Sequence, residues 1–428
     1  MPDLHLNPAR RRAAWLLGAV MCLTFVSSAP AIAGAPPAPV LQLTGCSRDE
    51  VQQALTTAPD GATVVIGAGV CQWGNQPSVK RAAGITLRGA GRDKTVIWRD
   101  AKVPDSLGAD AFLFEFDCAN GKTVDISGLT LRGNDMFFAN DDEKATDYDS
   151  GLALRHGCQG FRVHDARFSQ FSYYGILVSG SKARGVVDSN RFFNNWKCQN
   201  PNVSCLGYSV GVLGDHDWPA WTLGSAQAVF IEDNHFEDGR HEVASNYGSR
   251  YVFRHNTVLR TGNPSGVNAP YRWQSPVDAH GPQTEGDTGS RGWEVYDNKF
   301  VLGAGKTGVP PDGDNYQTGG IRGGDGVFFC NHHDAGDSGY HWYVPIQTYE
   351  NDDCQAGQVY PYQTTHGYYW ANSGDLVTGF PHKVDIRAAC VVAGKHVFFA
   401  PPDGYKPYTY PHPLRGLPSK PPTRCNTR

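Results

Sequence analysis

The chain has 428 residues, of which 40% are hydrophobic and 19% charged, and its formal net charge is −4. Its one run of basic residues is Arg10–Arg12, so the sequence lacks the basic patches of a nucleic-acid-binding protein. The 50 glycines indicate many tight turns between ordered segments and argue against a disordered chain.

Residues 1–33 have the features of a secretory signal peptide. Arg10–Arg12 form a basic start, and the apolar stretch 13–27 is too short for a comfortable membrane span. Ala31-Ile32-Ala33 provides small residues at the expected cleavage site. We therefore expect a secreted or periplasmic protein without a membrane span, monomeric, whose mature chain begins with a linker over residues 34–46.

Ten cysteines remain after the signal peptide, and an even number in an exported protein predicts disulfides. Connectivity does not follow from sequence alone. We expect each cysteine to pair with its neighbour in the chain, because such bridges would join a loop to an adjacent coil. The expected pairs are Cys46–Cys71, Cys118–Cys158, Cys198–Cys205, Cys330–Cys354 and Cys390–Cys425.

The next segment predicts a helix that covers the start of the fold. Ser47 and Glu50 have the spacing of a capping box, and Val51, Ala54 and Leu55 fall on one helical face. A solenoid needs such a cap, because an uncovered terminal coil exposes unpaired strand edges.

A short phrase then recurs, in which an apolar strand leads into Asn and a large apolar residue follows two positions later. The copies are Val187–Phe192, Ile231–Phe236, Phe253–Val258, Val295–Phe300 and the shorter Val327–Asn331. An earlier copy has Ala166 in place of Asn and precedes Asn190 by one short step. A basic step near 22 residues, with insertions, predicts a solenoid of short strands. Asn tolerates left-handed backbone, and its amide can stack on the next Asn as a ladder.

These elements predict an all-β chain folded as a β-solenoid, and the resemblance described below implies that it is a right-handed parallel β-helix. The N-terminal helix would cap one end, the β-helix would cover residues 47–334, and residues 335–428 would form an irregular cap over the last coil. Second strands of the coils are expected at Val210–Leu213, Glu242–Ser245, Pro276–Asp278 and Gly320–Arg322.

Two insertions are expected to build the walls of a groove. They cover residues 194–228 and 261–275, and aromatic side chains in groove walls stack on sugar rings. The predicted substrate-binding residues are Trp218, Trp221, Arg272, Trp273 and, on a strand, Asp278.

The chain resembles the secreted right-handed β-helix proteins of the pectate-lyase-like class. The resemblance rests on Gly61–Gly69 and Ile85–Arg92, which look like the first coils of those proteins, and on Tyr405–Leu414, which looks like their tail. It covers most of the mature chain and implies the fold and an extracellular polysaccharide as partner. It does not specify a reaction.

A second resemblance is to the alginate lyase and chondroitinase B family. It rests on the segments Glu242–Ser249, Val277–Gly281 and Gly319–Arg322. Tyr247 stands where that family has its catalytic Lys, and Ala279 where it has its catalytic Arg. Of the acidic residues that bind Ca²⁺ in the family, Glu242 is present, whereas Arg240 replaces another. The resemblance therefore implies a possible but incomplete calcium site at Glu242.

The remaining groups favour a lyase that acts on an acidic sugar. Such an enzyme must neutralise the substrate carboxylate, remove the C5 proton and protonate the leaving oxygen. We predict that Tyr247 and His280 supply the base and the acid. Arg322, or Arg272 from an insertion, would pair with the carboxylate.

Two other functions stay open at this point. A glycoside hydrolase would use two carboxylates, for which the candidates are Asp215, Asp217, Asp233 and Asp278. A glycan-binding protein without activity would need only the aromatic groove walls. A metal site at His332-His333-Asp334 is a weaker hypothesis than a loop there.

Overall fold

A computed structural model describes most of the chain. The described residues are 37–101, 111–134, 148–198, 205–261, 275–282, 288–302, 315–336, 341–347, 357, 362–376 and 383–425. The predicted signal peptide, Arg272, Trp273 and Cys354 lie outside them. In the described part of the chain, no helix is both long and apolar enough to cross a membrane.

The described residues form short strands, one α-helix and one 3-10 helix (Pro413–Arg415). The helix α1 is Arg48–Thr57. In chain order, the first strands are β1 (Val40–Gln42), β2 (Thr63–Ile66), β3 (Gly69–Gln72), β4 (Val79–Ala82), β5 (Ile85–Gly89), β6 (Thr95–Trp98), β7 (Phe112–Asp117), β8 (Val124–Ser127), β9 (Thr130–Arg132), β10 (Ser150–Arg155), β11 (Gln159–His164), β12 (Arg167–Ser169), β13 (Tyr174–Ser179), β14 (Arg184–Asp188), β15 (Arg191–Phe193), β16 (Lys197–Cys198) and β17 (Cys205–Leu206). The others are β18 (Tyr208–Leu213), β19 (Val229–Glu232), β20 (His235–Glu237), β21 (His241–Asn246), β22 (Arg250–Arg254), β23 (Thr257–Arg260), β24 (Val277–Ala279), β25 (Gly292–Tyr296), β26 (Lys299–Leu302), β27 (Asn315–Gln317), β28 (Gly319–Ile321), β29 (Asp325–Phe329), β30 (His332–Asp334), β31 (His341–Ile346), β32 (Gly367–Trp370), β33 (Ser373–Gly374), β34 (Val384–Ile386) and β35 (Val397–Phe398).

The strands build three long parallel sheets. Sheet A runs β1-β2-β5-β8-β11-β14-β19-β22-β25-β29-β32-β35, and sheet B runs β3-β6-β9-β12-β15-β20-β23-β26-β30-β33. Sheet C runs β4-β7-β10-β13-β18-β21-β24-β28-β31-β27, with β34 paired to β31. Each coil contributes one strand to each sheet in the order C, A, B, as in β13, β14 and β15. The chain is a right-handed parallel β-helix, as predicted.

The core fills the inside of the coils. Alternate side chains of each strand point inward, and in sheet B these are aromatic: Phe168, Phe192 and Phe236 stack with centroid separations of 5.3 and 4.7 Å. Sheet C contributes Val210 and Val243, which are fully buried in the same cluster. The residues between them in sequence face outward, so each sheet offers one outer surface.

The corner between sheets A and B contains a ladder of buried amides. In the first five of the six Asn, the amide nitrogen donates to the Oδ1 atom of the next Asn at 2.9–3.1 Å, and the amide nitrogens also donate to backbone carbonyls, so the buried groups are satisfied. The ladder consists of Asn190, Asn234, Asn256, Asn298, Asn331 and Asn372. The predicted ladder is confirmed and extends to Asn372, beyond the copies found in the sequence.

The left-handed backbone expected at Asn falls one residue earlier. The residues that precede the six Asn of the ladder have φ between 52° and 58°: Ser189, Asp233, His255, Asp297, Cys330 and Ala371. The Asn residues therefore act through their side chains, and the turn is made by the residue before each of them.

The N-terminal helix forms where it was predicted. Val51, Ala54 and Leu55 of α1 are buried in the main core, and α1 packs against β2 and β4. The capping box does not form, because the Ser47 side chain makes no cap hydrogen bond and Glu50 instead accepts from the Gly45 backbone N–H.

The coils continue past residue 334, where the sequence predicted an irregular cap. Strands β31 and β34 extend sheet C, β32 and β35 extend sheet A, and β33 extends sheet B. The boundary drawn at residue 334 therefore falls inside the β-helix. Insertions between these late strands obscure the repeat in the sequence.

The last residues form a strap, defined here as residues 401–425, that lies on the outer face of sheet A. Tyr405 donates a 2.6 Å hydrogen bond to Glu294. Arg415 pairs with Asp188 at 3.1 Å and with Glu232 at 2.9 Å. The strap thus contacts several coils of one face, in addition to any role at the end of the stack.

Three disulfides are described, and two of them were predicted. Cys46–Cys71 and Cys118–Cys158 are confirmed. The structure joins Cys330 to Cys425, so the predicted pairs Cys330–Cys354 and Cys390–Cys425 are wrong. The reason is the strap, which returns along sheet A and brings the end of the chain back to Cys330. Cys390 is also disulfide-bonded, and the register of β16 and β17 places Cys198 opposite Cys205.

Candidate active site

The outer face of sheet C carries two buried carboxylates in one register row: Glu115, which is 7% exposed and pairs with Lys80 and Arg155, and Asp278, several coils later in a stretch of small or apolar residues. The strand register aligns the row Ala153, Leu177, Gly211, Ala244, Asp278 and Gly320 across successive coils. Asp278 is 1% exposed. A buried charge is costly unless it is paired, so its partners indicate a specialised site.

Two side chains contact the Asp278 carboxylate. His280 Nε2 lies 3.0 Å from one carboxylate oxygen, and Arg322 Nη2 lies 3.0 and 2.9 Å from the two oxygens. Burial by itself would raise the pKa of Asp278, but Arg322 and then His280 outweigh it and hold that pKa well below the usual value. Asp278 is therefore an anion at neutral pH and orients both partners.

The backbone fixes the position of His280. It follows β24 directly, its N–H donates to the Ser245 carbonyl at 3.0 Å, and its own carbonyl accepts from Ser290 at 2.6 Å. The side chain is 11% exposed, so it remains in reach of solvent. An imidazole held by a carboxylate at one nitrogen is an arrangement suited to proton transfer at the other.

Arg322 occupies the equivalent edge one coil later. It follows β28, and its N–H donates to the Ala279 carbonyl at 2.9 Å. Ala279 itself is fully buried in the core. The position that resembles the family's catalytic Arg thus faces inward, whereas Asp278 on the same strand faces the outer surface.

Tyr247 lies on the coil before His280, at the same edge of sheet C. It follows β21 with left-handed backbone (φ 56°), and its ring lies 4.5 Å from the His216 ring. Gly248 allows the insertion to approach, since a Cβ there would lie 1.7 Å from the Asp217 carbonyl oxygen. The structure therefore brings Tyr247, His216 and His280 to neighbouring turns.

The two described tryptophans of the predicted groove wall lie apart. Trp218 contacts Tyr362, with 4.6 Å between ring centroids, and the Arg291 guanidinium lies 4.8 Å from its ring. Trp221 packs on Gly292, where a Cβ would overlap its ring, and so it lies on sheet A. Trp218 remains a candidate for the groove wall. Arg272 and Trp273 are outside the described residues.

Glu242, the predicted calcium ligand, serves a buried ion pair. Its carboxylate accepts from Ser209 at 2.7 Å and from the Gly239 N–H at 3.2 Å, and it pairs with Arg260 at 2.9 Å. Burial raises its pKa despite the presence of Arg260. Among the described residues, no three His, Cys, Asp or Glu side chains are grouped as a metal site would require.

The segment His332-His333-Asp334 is strand β30, and its side chains alternate between faces. His333 faces inward on Phe300, with centroids 5.2 Å apart, and burial lowers its pKa to about 3. His332 is exposed. The two imidazoles therefore diverge and do not share a ligand.

The four carboxylates proposed for a hydrolase are engaged separately. Asp215 accepts from Ser181, and Asp217 is exposed. Asp233 is held by Tyr410 and Arg415 beneath the strap. Asp278 is the member of this set that lies with His280 and Arg322.

Sequence reasoning missed an aromatic row beside this site. Tyr174, Tyr208 and His241 are aligned by register, with centroid separations of 5.2 and 5.6 Å. Burial and then Arg240 lower the pKa of His241 well below its usual value, so the ring is neutral. Each of the three residues stands three positions before the residue of its own strand that belongs to the row containing Asp278. This constant spacing of aromatic residues is visible in the sequence and could have predicted the aromatic row.

The chain is similar in backbone fold to several solved structures, at low sequence identity. No protein-family profile and no curated protein matches the chain. Among solved structures, alginate lyase from Paenibacillus sp. strain FPU-7 is 13% identical with a TM-score of 0.46, covering 81% of this chain and 99% of that one. DFA-IIIase from Arthrobacter chlorophenolicus A6, without its lid and in complex with GF2, is 11% identical with a TM-score of 0.38, covering 82% and 99%. The catalytic unit of GH87 α-1,3-glucanase from Streptomyces thermodiastaticus strain HF3-3 is 12% identical with a TM-score of 0.35, covering 88% and 66%.

Proposed function

We propose that the protein is an exported polysaccharide lyase that cleaves an acidic polysaccharide by β-elimination on the outer face of sheet C. The observation that carries this proposal is the buried, ionised Asp278 held between His280 and Arg322. Ionisable groups with strongly perturbed pKa values and a specific charged partner are typical of catalytic sites.

His280, Arg322 and Tyr247 each take one role in the reaction. His280, oriented by Asp278, takes the C5 proton of the sugar. Arg322 stabilises the substrate carboxylate and the charge that develops on it. Arg322 contacts both carboxylate oxygens of Asp278 through Nη2, which holds the guanidinium at this edge of sheet C. Tyr247 on the preceding coil returns a proton to the leaving oxygen.

Charge neutralisation is assigned to Arg322 instead of calcium. Glu242 is the acidic residue that resembles a calcium ligand, and its carboxylate is engaged by Arg260 and Ser209. Opening that pair to admit a cation would leave the buried Arg260 without its partner, which is strongly destabilising.

The neighbouring aromatic row supports a sugar chain as the ligand. Tyr208 is partly exposed on the face that carries Asp278 and stacks on the buried Tyr174, and aromatic rings pack well on the apolar faces of sugars. The same row would serve a protein that binds glycans without cleaving them, so binding and cleavage must be measured separately.

Export is supported by covalent structure. The bridges Cys46–Cys71, Cys118–Cys158 and Cys330–Cys425 each join segments that are distant in sequence. Disulfides of this kind persist in oxidising compartments and are rare in the cytosol.

A polysaccharide screen tests the proposal. Purified protein is incubated with alginate, polygalacturonate, glycosaminoglycans and bacterial exopolysaccharides, and the ultraviolet absorbance of unsaturated uronate ends and the reducing sugar are followed in parallel. We expect both signals to rise together on one acidic polymer. Reducing ends without absorbance would identify a hydrolase, and retention on a polymer without either signal would identify a binding protein. Each of these two outcomes contradicts the lyase.

A further inference from the structure

The outer face of sheet B carries a row of mostly basic residues that the proposed reaction does not use. The register aligns them across six successive strands, at the first position of each strand. The row consists of Arg167, Arg191, His235, Thr257, Lys299 and His332. With strands about 4.8 Å apart, its five intervals span about 24 Å along the helix axis.

Core residues on the inner face of the same strands fix the direction in which the side chains of this row point. The residue after each basic residue is an aromatic core residue in most coils, such as Phe192, Phe236 and Phe300, each of which is at most 1% exposed. Because side chains alternate along a strand, the basic residues must then point away from the core. Their spacing is set by the ladder of backbone hydrogen bonds and not by flexible loops.

The first half of the row borders an open pocket of about 400 Å³. Its lining includes Arg167, Arg191, Phe193, His235 and Glu237. The Arg167 guanidinium lies 5.5 Å from the Phe193 ring centroid. A guanidinium beside a partly exposed aromatic ring offers both a partner for an anionic group and a flat apolar surface.

The charge of this face is opposite to that of the chain as a whole. Arg191 and Lys299 are exposed. The acidic residues nearby lie in the next outward row, where Glu237 is 3.5 Å from His235 and Asp334 is 3.8 Å from Lys299. The basic row is therefore a local positive strip on a protein whose net charge is −4, which complements a linear polyanion.

We propose that the outer face of sheet B is a second glycan-binding surface, which holds an extended acidic polysaccharide through its carboxylates or sulfates. A linear strip with one basic residue in most coils matches a linear polymer with charges at regular intervals. The modest number of cations, with acidic residues beside them, suits a sparsely charged glycan better than the dense phosphates of nucleic acid. The inference does not depend on the reaction at sheet C.

Affinity electrophoresis through gels that contain polygalacturonate tests this surface. The variant Arg167→Ala with Arg191→Ala is compared with the control Arg88→Ala with Arg184→Ala, which removes two exposed arginines from sheet A. Both variants change the net charge equally, so their mobilities in gels without polymer should agree. We expect the sheet B variant to weaken retention about tenfold, equivalent to about 1.4 kcal/mol, and the control to keep wild-type retention.

Two further arms decide between sources of the effect. The inference would be overturned if both variants lost retention equally, or if gels with neutral laminarin retained the wild type as strongly as gels with polygalacturonate. It would also be overturned if the wild type bound phosphatidylglycerol vesicles or single-stranded DNA more tightly than polygalacturonate. Circular dichroism confirms that both variants are folded. If retention depends on Arg167 and Arg191 while no polymer is cleaved, this inference stands and the lyase proposal fails.

Discussion

Replacing His280 with alanine is expected to lower kcat on the acidic polysaccharide by about three orders of magnitude, with a much smaller change in KM. A positioned general base or acid typically contributes factors of about 10² to 10⁴. Asp278 and Arg322 would remain paired at 2.9 Å in this variant, so the fold and the charge that binds substrate are retained. The measurement is the initial rate of formation of unsaturated ends over a range of polymer concentrations.

The chain offers a matched control for this variant. His156 pairs with Asp117 at 2.7 Å on an earlier coil of the same sheet, and its side chain is 62% exposed. His156→Ala removes the imidazole from an exposed His–Asp pair and should leave kcat unchanged. A loss of activity that is equal in both variants, or a rate for His280→Ala within twofold of wild type, would contradict the assigned role.

Asp278→Asn separates orientation from charge. The amide keeps the shape of the side chain but no longer stabilises a protonated His280, so we expect a loss of kcat comparable to that in His280→Ala. Because the pKa of Asp278 is depressed in the folded protein, its contribution to stability is present above its unfolded pKa of about 3.9 and is lost as the pH falls toward the folded pKa. The pH-activity profile near neutrality should therefore reflect other groups.

The second large effect concerns stability, and it is expected for Arg254→Ala. Arg254 is fully buried and pairs with Glu232 at 2.6 Å. It also donates to the Tyr408 and Thr409 carbonyls of the strap, both at 2.8 Å. Removing one partner of a buried ion pair costs about 3–5 kcal/mol, so we expect a decrease of this size in the free energy of unfolding measured by urea denaturation.

The control for this stability effect is an exposed pair. Lys299 lies 3.8 Å from Asp334, and the two side chains are 49% and 39% exposed. Lys299→Ala should change the free energy of unfolding by at most about 1 kcal/mol. A cost for Arg254→Ala that is no larger than that of Lys299→Ala would show that the strap does not depend on the Arg254–Glu232 pair.

Acid should loosen the same contact. Burial would raise the pKa of Glu232, but Arg254, the His412 N–H and Arg415 outweigh it and lower that pKa below its ordinary value. A lowered folded pKa means that the stabilisation is complete above the unfolded pKa of about 4.3 and is lost as the pH falls through the folded value. The difference in stability between wild type and Arg254→Ala should therefore shrink below about pH 4.

The repeat was readable from sequence because its function is local. Asn234 and Asn256 each satisfy their own turn and the next coil, so the same residue type recurs at a fixed place in each coil. The strap has no such repeat. Arg415 meets Glu232 across 183 residues, and one contact between segments so far apart leaves no periodic pattern, which is why the Cys330–Cys425 bridge was missed.

The site was partly predictable for the same reason. The sequence named His280 and Arg322 as catalytic and Asp278 as substrate-binding, and the structure joins the three because Asp278 and Gly320 are paired on adjacent strands. The ion pairs among these three residues depend on side-chain packing. So does the burial of Asp278, and neither can be read from the spacing of residues in the sequence. The sequence did not identify His241 as a member of the aromatic row. Its ring is neutral because it is buried, and the burial of a polar residue cannot be read from the sequence alone.

The proposed lyase requires that an acidic glycan lies on the outer face of sheet C when it reacts. The most direct measurement is a crystal structure of the His280→Ala variant soaked with an acidic tetrasaccharide of the polymer identified by the screen. We expect sugar density on that face, with a carboxylate on the Arg322 guanidinium and the vacated His280 position beside C5. Density only along the basic row of sheet B, or on the strap, with none near Asp278, would contradict it.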